Sequence, residues 1–172
     1  TLIDDGTRPG GVRSSAFDRE GVPIKRRVLI DGGVLQTFLF NHYEARAADT
    51  GQESTGHASG GASSLPGIGA NQLEVAAGET PPADMRGGSE PVVFVGRFSG
   101  STNPVTGEFS GVVKNGSLIE NGAARPIKET MIAGNLLDAF KEIVAISAER
   151  RTLGGAHKIP SILIDGVSVT AG

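Results

Sequence analysis

The 172-residue chain contains no cysteine and no tryptophan, so neither disulfides nor thiolate ligands or nucleophiles are available to it. Aromatic residues make up only 5% of the sequence. No apolar run approaches the length of a membrane-spanning helix, and neither a spanning helix nor a signal peptide is expected within these residues. Charge of one sign is also scarce: 16 basic against 19 acidic side chains give a formal net charge of -3, and the longest basic block is Lys25, Arg26 and Arg27. Such a surface lacks the field that draws nucleic-acid phosphates, so neither direct nucleic-acid binding nor a membrane partner is expected. These absences suit a reducing, cytoplasmic setting.

Turn formers are abundant, with 26 glycines and 9 prolines. That balance points to many short strands, and the length suits one domain. The chain opens at Thr1 without an initiator methionine, on Thr-Leu-Ile-Asp-Asp, the end of a strand entering a turn, and is expected to be a fragment of a longer two-domain subunit.

Arg8-Pro9-Gly10-Gly11 forces a turn, and a loop follows to about Pro23. Residues 24–30 and 34–40 are β-branched, aliphatic or aromatic, and Asp31-Gly32-Gly33 between them signals a hairpin. Residues 46–90 form a long Gly/Ser/Ala/Pro-rich loop region with one short strand at 72–75, and the domain's most protease-sensitive site is expected there. Residues 92–98 read as a strand buried on both faces. Asn115-Gly116 and Asn121-Gly122 mark tight turns of an antiparallel meander.

Asn135 then caps a long amphipathic helix reaching Arg150, with Leu136, Leu137, Phe140, Ile143 and Val144 on its buried stripe. Residues 162–164 and 167–169 close the chain as a hairpin around Asp165-Gly166. The predicted class is α+β, predominantly β: antiparallel hairpins and a meander with one long C-terminal helix.

The histidines are His42, His57 and His157, and no two stand at the spacing that puts paired imidazoles on one helical face. His42-Tyr43-Glu44 reads as a strand end with solvated polar groups. Ser54-Thr55-Gly56-His57 sets a hydroxyl beside an imidazole, but a hydrolytic triad is defined by spatial roles rather than by a tetrapeptide, so no catalytic residue is assigned. Gly100 to Gly107 lacks the lysine and following helix of a phosphate loop, and Asn103-Pro104 initiates a turn.

Several blocks taken together are more specific. Phe17-Asp-Arg-Glu-Gly-Val22, Tyr43-Glu-Ala-Arg46, Ser54-Thr-Gly-His-Ala58, Gly100 to Ser110, Leu118-Ile-Glu-Asn-Gly122, Pro126-Ile-Lys-Glu129 and Ile132-Ala-Gly-Asn-Leu136 follow one another in order. This series resembles the C-terminal domain of the TldD/PmbA family (peptidase U62, "modulator of DNA gyrase"). The resemblance implies a subunit with an N-terminal α/β portion and a β-rich C-terminal domain. It also implies that TldD-type subunits hold zinc through an upstream His-Glu-x-x-x-His helix and a cysteine after the last helix, and that PmbA (TldE) types lack these and pair with the active ones.

The stretch matching that cysteine, residues 149–160, contains none, which favours the PmbA/TldE type; His157 falls near the ligand position and is a remote substitute. Between Glu79 and Glu90 the family places a helix, but Pro81-Pro82 and Gly87-Gly88 would break one here.

The resemblance therefore implies a non-catalytic subunit that completes the substrate channel of a zinc metallopeptidase acting on flexible peptides or unfolded proteins. No cofactor is expected in this chain, and zinc is expected in a TldD-type partner. Contacts to that subunit, or to a second copy in a homodimer, are expected through the β-rich domain. Ser54, Thr55, His57, Ser101, Asn103 and Thr106, on glycine-rich loops, are the candidate substrate contacts. Two other readings remain: a full-length zinc peptidase homodimer, and a protein-binding modulator of DNA gyrase or its inhibitors.

Overall fold

The computed structural model describes residues 1–49, 51–86 and 90–171. It divides into two compact units, residues 1–76 with 150–160, and residues 77–149 with 161–172.

In the first unit β1 (Leu2–Asp4) pairs antiparallel with β2 (Arg27–Asp31), which turns into β3 (Val34–Leu35). The expected hairpin is therefore present but short. Its turn works because Gly32 (φ 52°) and Gly33 (φ 82°) both take the left-handed conformation that a two-residue connection requires. Ahead of it, Pro9 and a positive-φ Gly10 make the expected turn, closed by the Gly11 N–H on the Arg8 carbonyl at 3.1 Å.

Helix α1 (His42–Ala47) begins where Asn41 accepts the Glu44 N–H at 2.8 Å, so His42-Tyr43-Glu44 is the first turn of a helix rather than a strand end. Within residues 46–90 lie β4 (Ala58–Ser59), β5 (Gly67–Ile68), β6 (Leu73–Val75) and a 3-10 turn at Asp84–Arg86. The Gly87-Gly88 pair lies outside the described residues.

The second unit carries β7 (Val92–Phe94), β8 (Arg97–Thr102), β9 (Glu108–Lys114), β10 (Ser117–Glu120), β11 (Ala123–Pro126) and β12 (Met131–Asn135). The strand expected over 92–98 is interrupted: a Cβ at Gly96 would collide with the Asn115 carbonyl, and β7 is half-buried rather than enclosed on both faces. Asn121 (φ 50°) and Gly122 (φ 75°) turn β10 into β11 as expected, whereas at Asn115-Gly116 only Asn115 takes positive φ.

The long helix is not formed. Asn135 does cap, accepting the Leu137 N–H at 2.9 Å, but α2 spans only Leu136–Lys141 and the chain leaves it as the eleven-residue β13 (Ile143–Leu153). Ile143, Val144 and Ile146 are β-branched and suit a strand, and the pairing available to them outweighs the helical spacing of the apolar stripe. Leu137 (64%) and Phe140 (52%) are consequently exposed, not core.

After β13 come β14 (His157–Ile164) and β15 (Ser168–Thr170). The closing hairpin is also corrected: β15 pairs antiparallel with β12, not with β14.

The resulting sheets are β13-β14-β6-β1-β2-β3, β15-β12-β9-β8, β11-β10-β7 and the small β4-β5 pair. Among the described residues the class is β-rich with two short helices, and β14 against β6 is a parallel contact in a largely antiparallel architecture. No described helix is long and apolar enough to cross a membrane.

Candidate functional site

The first unit is organised about an acid at the end of β1. Asp4 is fully buried, and its Oδ2 meets His57 Nε2 at 2.7 Å. The same carboxylate accepts the Asn71 N–H at 2.9 Å and the Gln72 N–H at 2.6 Å, with the Asn71 amide at 3.2 Å. A buried carboxylate needs this many donors, since an unpaired one would cost several kcal/mol. Burial pushes its pKa up, but the bond from His57, the two main-chain N–H groups and the His57 charge outweigh that and hold it below the ordinary value of 3.8.

His57, 1% exposed, continues the chain of bonds through Nδ1 to Thr55 Oγ1 at 2.9 Å. Thr55 Oγ1 in turn accepts the Phe40 N–H at 2.7 Å, while the Thr55 N–H binds the Phe40 carbonyl at 3.1 Å. Ser54 Oγ reaches that carbonyl too, at 3.3 Å. Arg27 Nε secures the loop by donating to the Thr55 carbonyl at 3.0 Å. At Gly56 (φ 77°) a Cβ would stand 2.8 Å from the Pro23 carbonyl, so the loop passes there only as glycine.

Asp4, His57 and Thr55 thus have the connectivity of a catalytic triad. Thr55 is 4% exposed and its hydroxyl is engaged by Phe40, which leaves no room for a substrate carbonyl. The chain of bonds positions Phe40 instead.

Phe40 opens onto a groove of about 590 Å³ formed by residues 35–40 together with Glu44, Ala48, Gln52 and Ile68. Phe38 and Phe40 stand edge to face, 6.2 Å between ring centroids, and Phe38 is 63% exposed. Glu44, on α1, is the one charged side chain lining it.

Of the six candidate contacts, Ser54, Thr55 and His57 come together in this interior with their side chains turned inward. Ser101, Asn103 and Thr106 belong to the second unit. Ser101 lies on β8 opposite Ser110. Asn103 Oδ1 accepts the Val105 N–H at 2.9 Å and the Thr106 N–H at 3.3 Å, an Asx turn, and Thr106 Oγ1 donates to Glu108 at 3.1 Å. All three are exposed.

Sequence reasoning missed Asp4 and the groove. The signal for Asp4 was an acid next to Leu2 and Ile3 in an apolar strand, a position where charge is kept only when paired. The groove had no signal beyond the apolar character of residues 34–40.

His157, on β14, accepts the Leu73 N–H at Nδ1, 3.0 Å away. In the neutral ring that acceptance puts the proton on Nε2, which leaves neither nitrogen a free lone pair for a metal. His42 stands at the exposed first turn of α1. Among the described residues no group of three or more His, Cys, Asp or Glu side chains could hold a metal ion. The residues present therefore do not fit zinc.

The chain is 33% identical to an uncharacterized protein of Methanocaldococcus jannaschii over 96% of its own length and 38% of that protein's. It is 31% identical to the metalloprotease PmbA of Escherichia coli O157:H7, covering 91% of this chain and 33% of the relative. The chain thus spans about a third of the length of the curated relatives it matches.

Its fold follows that of TldE from Thermococcus kodakarensis with a TM-score of 0.88 and 28% identity, covering all of this chain and 39% of that one. A Thermotoga maritima protein named as a candidate modulator of a DNA gyrase superposes with a TM-score of 0.83 at 30% identity, covering 98% of this chain and 38% of that one. Residues 1–171 match the family model described as the PmbA/TldA metallopeptidase C-terminal domain, and the chain belongs to that family.

Proposed function

We propose that this chain is the C-terminal domain of a PmbA/TldE-type subunit that does not itself hold the catalytic zinc. In this reading it completes the substrate chamber of a peptidase whose metal sits in a TldD-type partner. The observation that carries the reading is His157. The resemblance places a ligand cysteine near this position in zinc-bearing subunits, and here the side chain already spends Nδ1 on the Leu73 N–H. A catalytic zinc needs three protein ligands and an open position, and this domain has no thiolate to contribute.

The substrates are flexible or unfolded peptides, held through main-chain hydrogen bonds with little sequence preference. The loop of Ser101, Asn103 and Thr106 presents exposed polar groups to them. Ser54, Thr55 and His57 contribute through main-chain position, by fixing Phe40 at the groove. Association runs through the β-rich domain, whose short strands leave edges that a soluble protein must cover.

Reconstitution tests this directly. The intact protein should hydrolyse no peptide alone, sediment with a TldD-type subunit as one species, and be needed for full peptidase activity of the mixture. Peptide hydrolysis by the intact protein alone, abolished by a chelator, would overturn the reading.

A further inference from the structure

We propose that Asn121 is a site of spontaneous modification: the Gly122 main-chain nitrogen attacks the Asn121 side-chain amide, and the tip of the β10–β11 hairpin passes to isoaspartate with loss of ammonia. The reaction needs no enzyme and is independent of the subunit reading.

Deamidation by this route requires an asparagine whose amide turns freely, followed by a main-chain N–H that is unbonded and within reach. The chain has six asparagines, and they differ in that following group. The His42 N–H, after Asn41, is held by Glu20 at 2.9 Å, and the Gln72 N–H, after Asn71, by Asp4 at 2.6 Å. Following Asn135, the Leu136 N–H is bonded to the Gly107 carbonyl at 2.8 Å. Asn103 precedes Pro104, which has no N–H to give.

The two Asn-Gly pairs remain, and packing separates them. Gly116 is half-buried: a Cβ there would collide with Val113 and lie 2.9 Å from the Phe94 carbonyl oxygen, and the Gly116 carbonyl accepts the Ile127 N–H at 3.2 Å. The tetrahedral carbon that attack forms on Asn115 would have to be built against these walls. By contrast Asn121 and Gly122 are both exposed, and a Cβ at Gly122 would meet nothing within 4 Å. They form the two-residue turn between Glu120 and Ala123, outside the ladder. Among the described residues neither the Gly122 N–H nor the Asn121 amide has a hydrogen-bond partner. The edge strand of this sheet is β11, all four of its residues exposed, so the hairpin tip opens at little cost.

Water is the only co-reactant. Solvent base takes the Gly122 N–H proton, the nitrogen bonds to Asn121 Cγ, and Nδ2 departs as ammonia, leaving a five-membered imide. Water then opens either imide carbonyl, giving aspartate, or isoaspartate in which the main chain runs through Cγ. The second product lengthens the backbone by one carbon inside a turn that fits two residues. It also frees a carboxylate beside Glu120, which already holds Arg125 at 2.8 Å. The β10–β11 pairing should therefore loosen while β10–β7 is kept.

Incubation of the intact protein in heavy-oxygen water at mildly alkaline pH, followed by peptide mapping that separates aspartate from isoaspartate, reads the reaction at each asparagine. Conversion with heavy-oxygen uptake should run about tenfold faster at Asn121 than at Asn115, a preference that the urea-unfolded chain should lose. In the isoaspartate form, residues 123–125 should exchange their amide hydrogens faster, with residues 92–94 unchanged. Equal rates at Asn115 and Asn121 in the native protein, no conversion at Asn121, or unaltered exchange at residues 123–125 after conversion would each overturn the inference.

Discussion

The two units bury different kinds of side chain. Among the described residues the first buries seven polar side chains, Asp4, Asp18, Asn41, Ser54, Thr55, His57 and Gln72, beside seven apolar ones, of which three are alanines and one is Pro160. The second buries Thr130 and Ser147 beside Met85, Val113, Ile119 and Ala139, and its strands are set by tight turns and close backbone approach. On β8 and β9 Gly100 faces Gly111, with the Phe98 ring lying over the pair. The first unit is thus specified by hydrogen bonds among residues distant in sequence, and the second by ladders between strands near in sequence. A polar interior is costly unless complete, so the first unit should be the more sensitive to single substitutions.

The largest effect should come from Asp4→Ala. It strands the His57 imidazole and the Asn71 and Gln72 N–H groups in a dry interior, and should lower the unfolding free energy by about 3–5 kcal/mol in denaturant titration. A loss under about 1 kcal/mol would erase the contrast between the units.

In the second unit Gly100→Val puts a Cβ into the Ser110 carbonyl and the Gly111 Cα, both backbone, so the two strands must part. A loss of about 1–3 kcal/mol is expected, smaller because β8 is a sheet edge. Loss of β8–β9 amide protection alone, with the first unit's amides unchanged, would sharpen the comparison; uniform loss would break it.

Acid should separate the units more gently. The folded pKa of Asp4 lies below the unfolded value, so its contribution is present above about pH 3.8 and is lost as pH falls through the folded pKa. Stability of the native protein should fall with acid in that window, and Asp4→Asn should flatten the slope. The groups facing this site are His57, Arg27 on β2, Arg8 beside Gln72, and Asp18, whose carboxylate takes the Ala58 N–H at 2.9 Å. An unchanged slope in Asp4→Asn would show that Asp4 does not set the acid sensitivity.

Phe140→Ala should do least. With the ring 52% exposed on a helix of six residues, unfolding should shift by no more than about 0.5 kcal/mol. A cost of several kcal/mol would mean that α2 is covered in the intact protein.

The same contrast explains what could be read from the sequence. Gly32-Gly33 and Asn121-Gly122 demand positive φ wherever they stand, so those turns were legible, as were the Asn135 cap and the β-rich class. The end of α2 was not. Leu136, Leu137, Phe140, Ile143 and Val144 satisfy a helical period, and only strand pairing turns residues 143 onward into β13. Likewise nothing local says that the chain from Asp165-Gly166 joins β12 instead of folding back. In the candidate site Ser54, Thr55 and His57 were found as a tetrapeptide, but their orientation is set by Asp4, far away in sequence, and by Phe40.

The subunit reading turns on metal content, because the domain offers no thiolate and its one histidine near the ligand position is already engaged. Elemental analysis of the intact protein after exhaustive dialysis, in parallel with its complex with a TldD-type subunit, decides the matter. The account predicts zinc in the complex, carried by the partner, and only trace zinc in this protein alone. Tightly held zinc near one per chain in this protein alone would contradict it, and His157→Ala would then be the first variant to make.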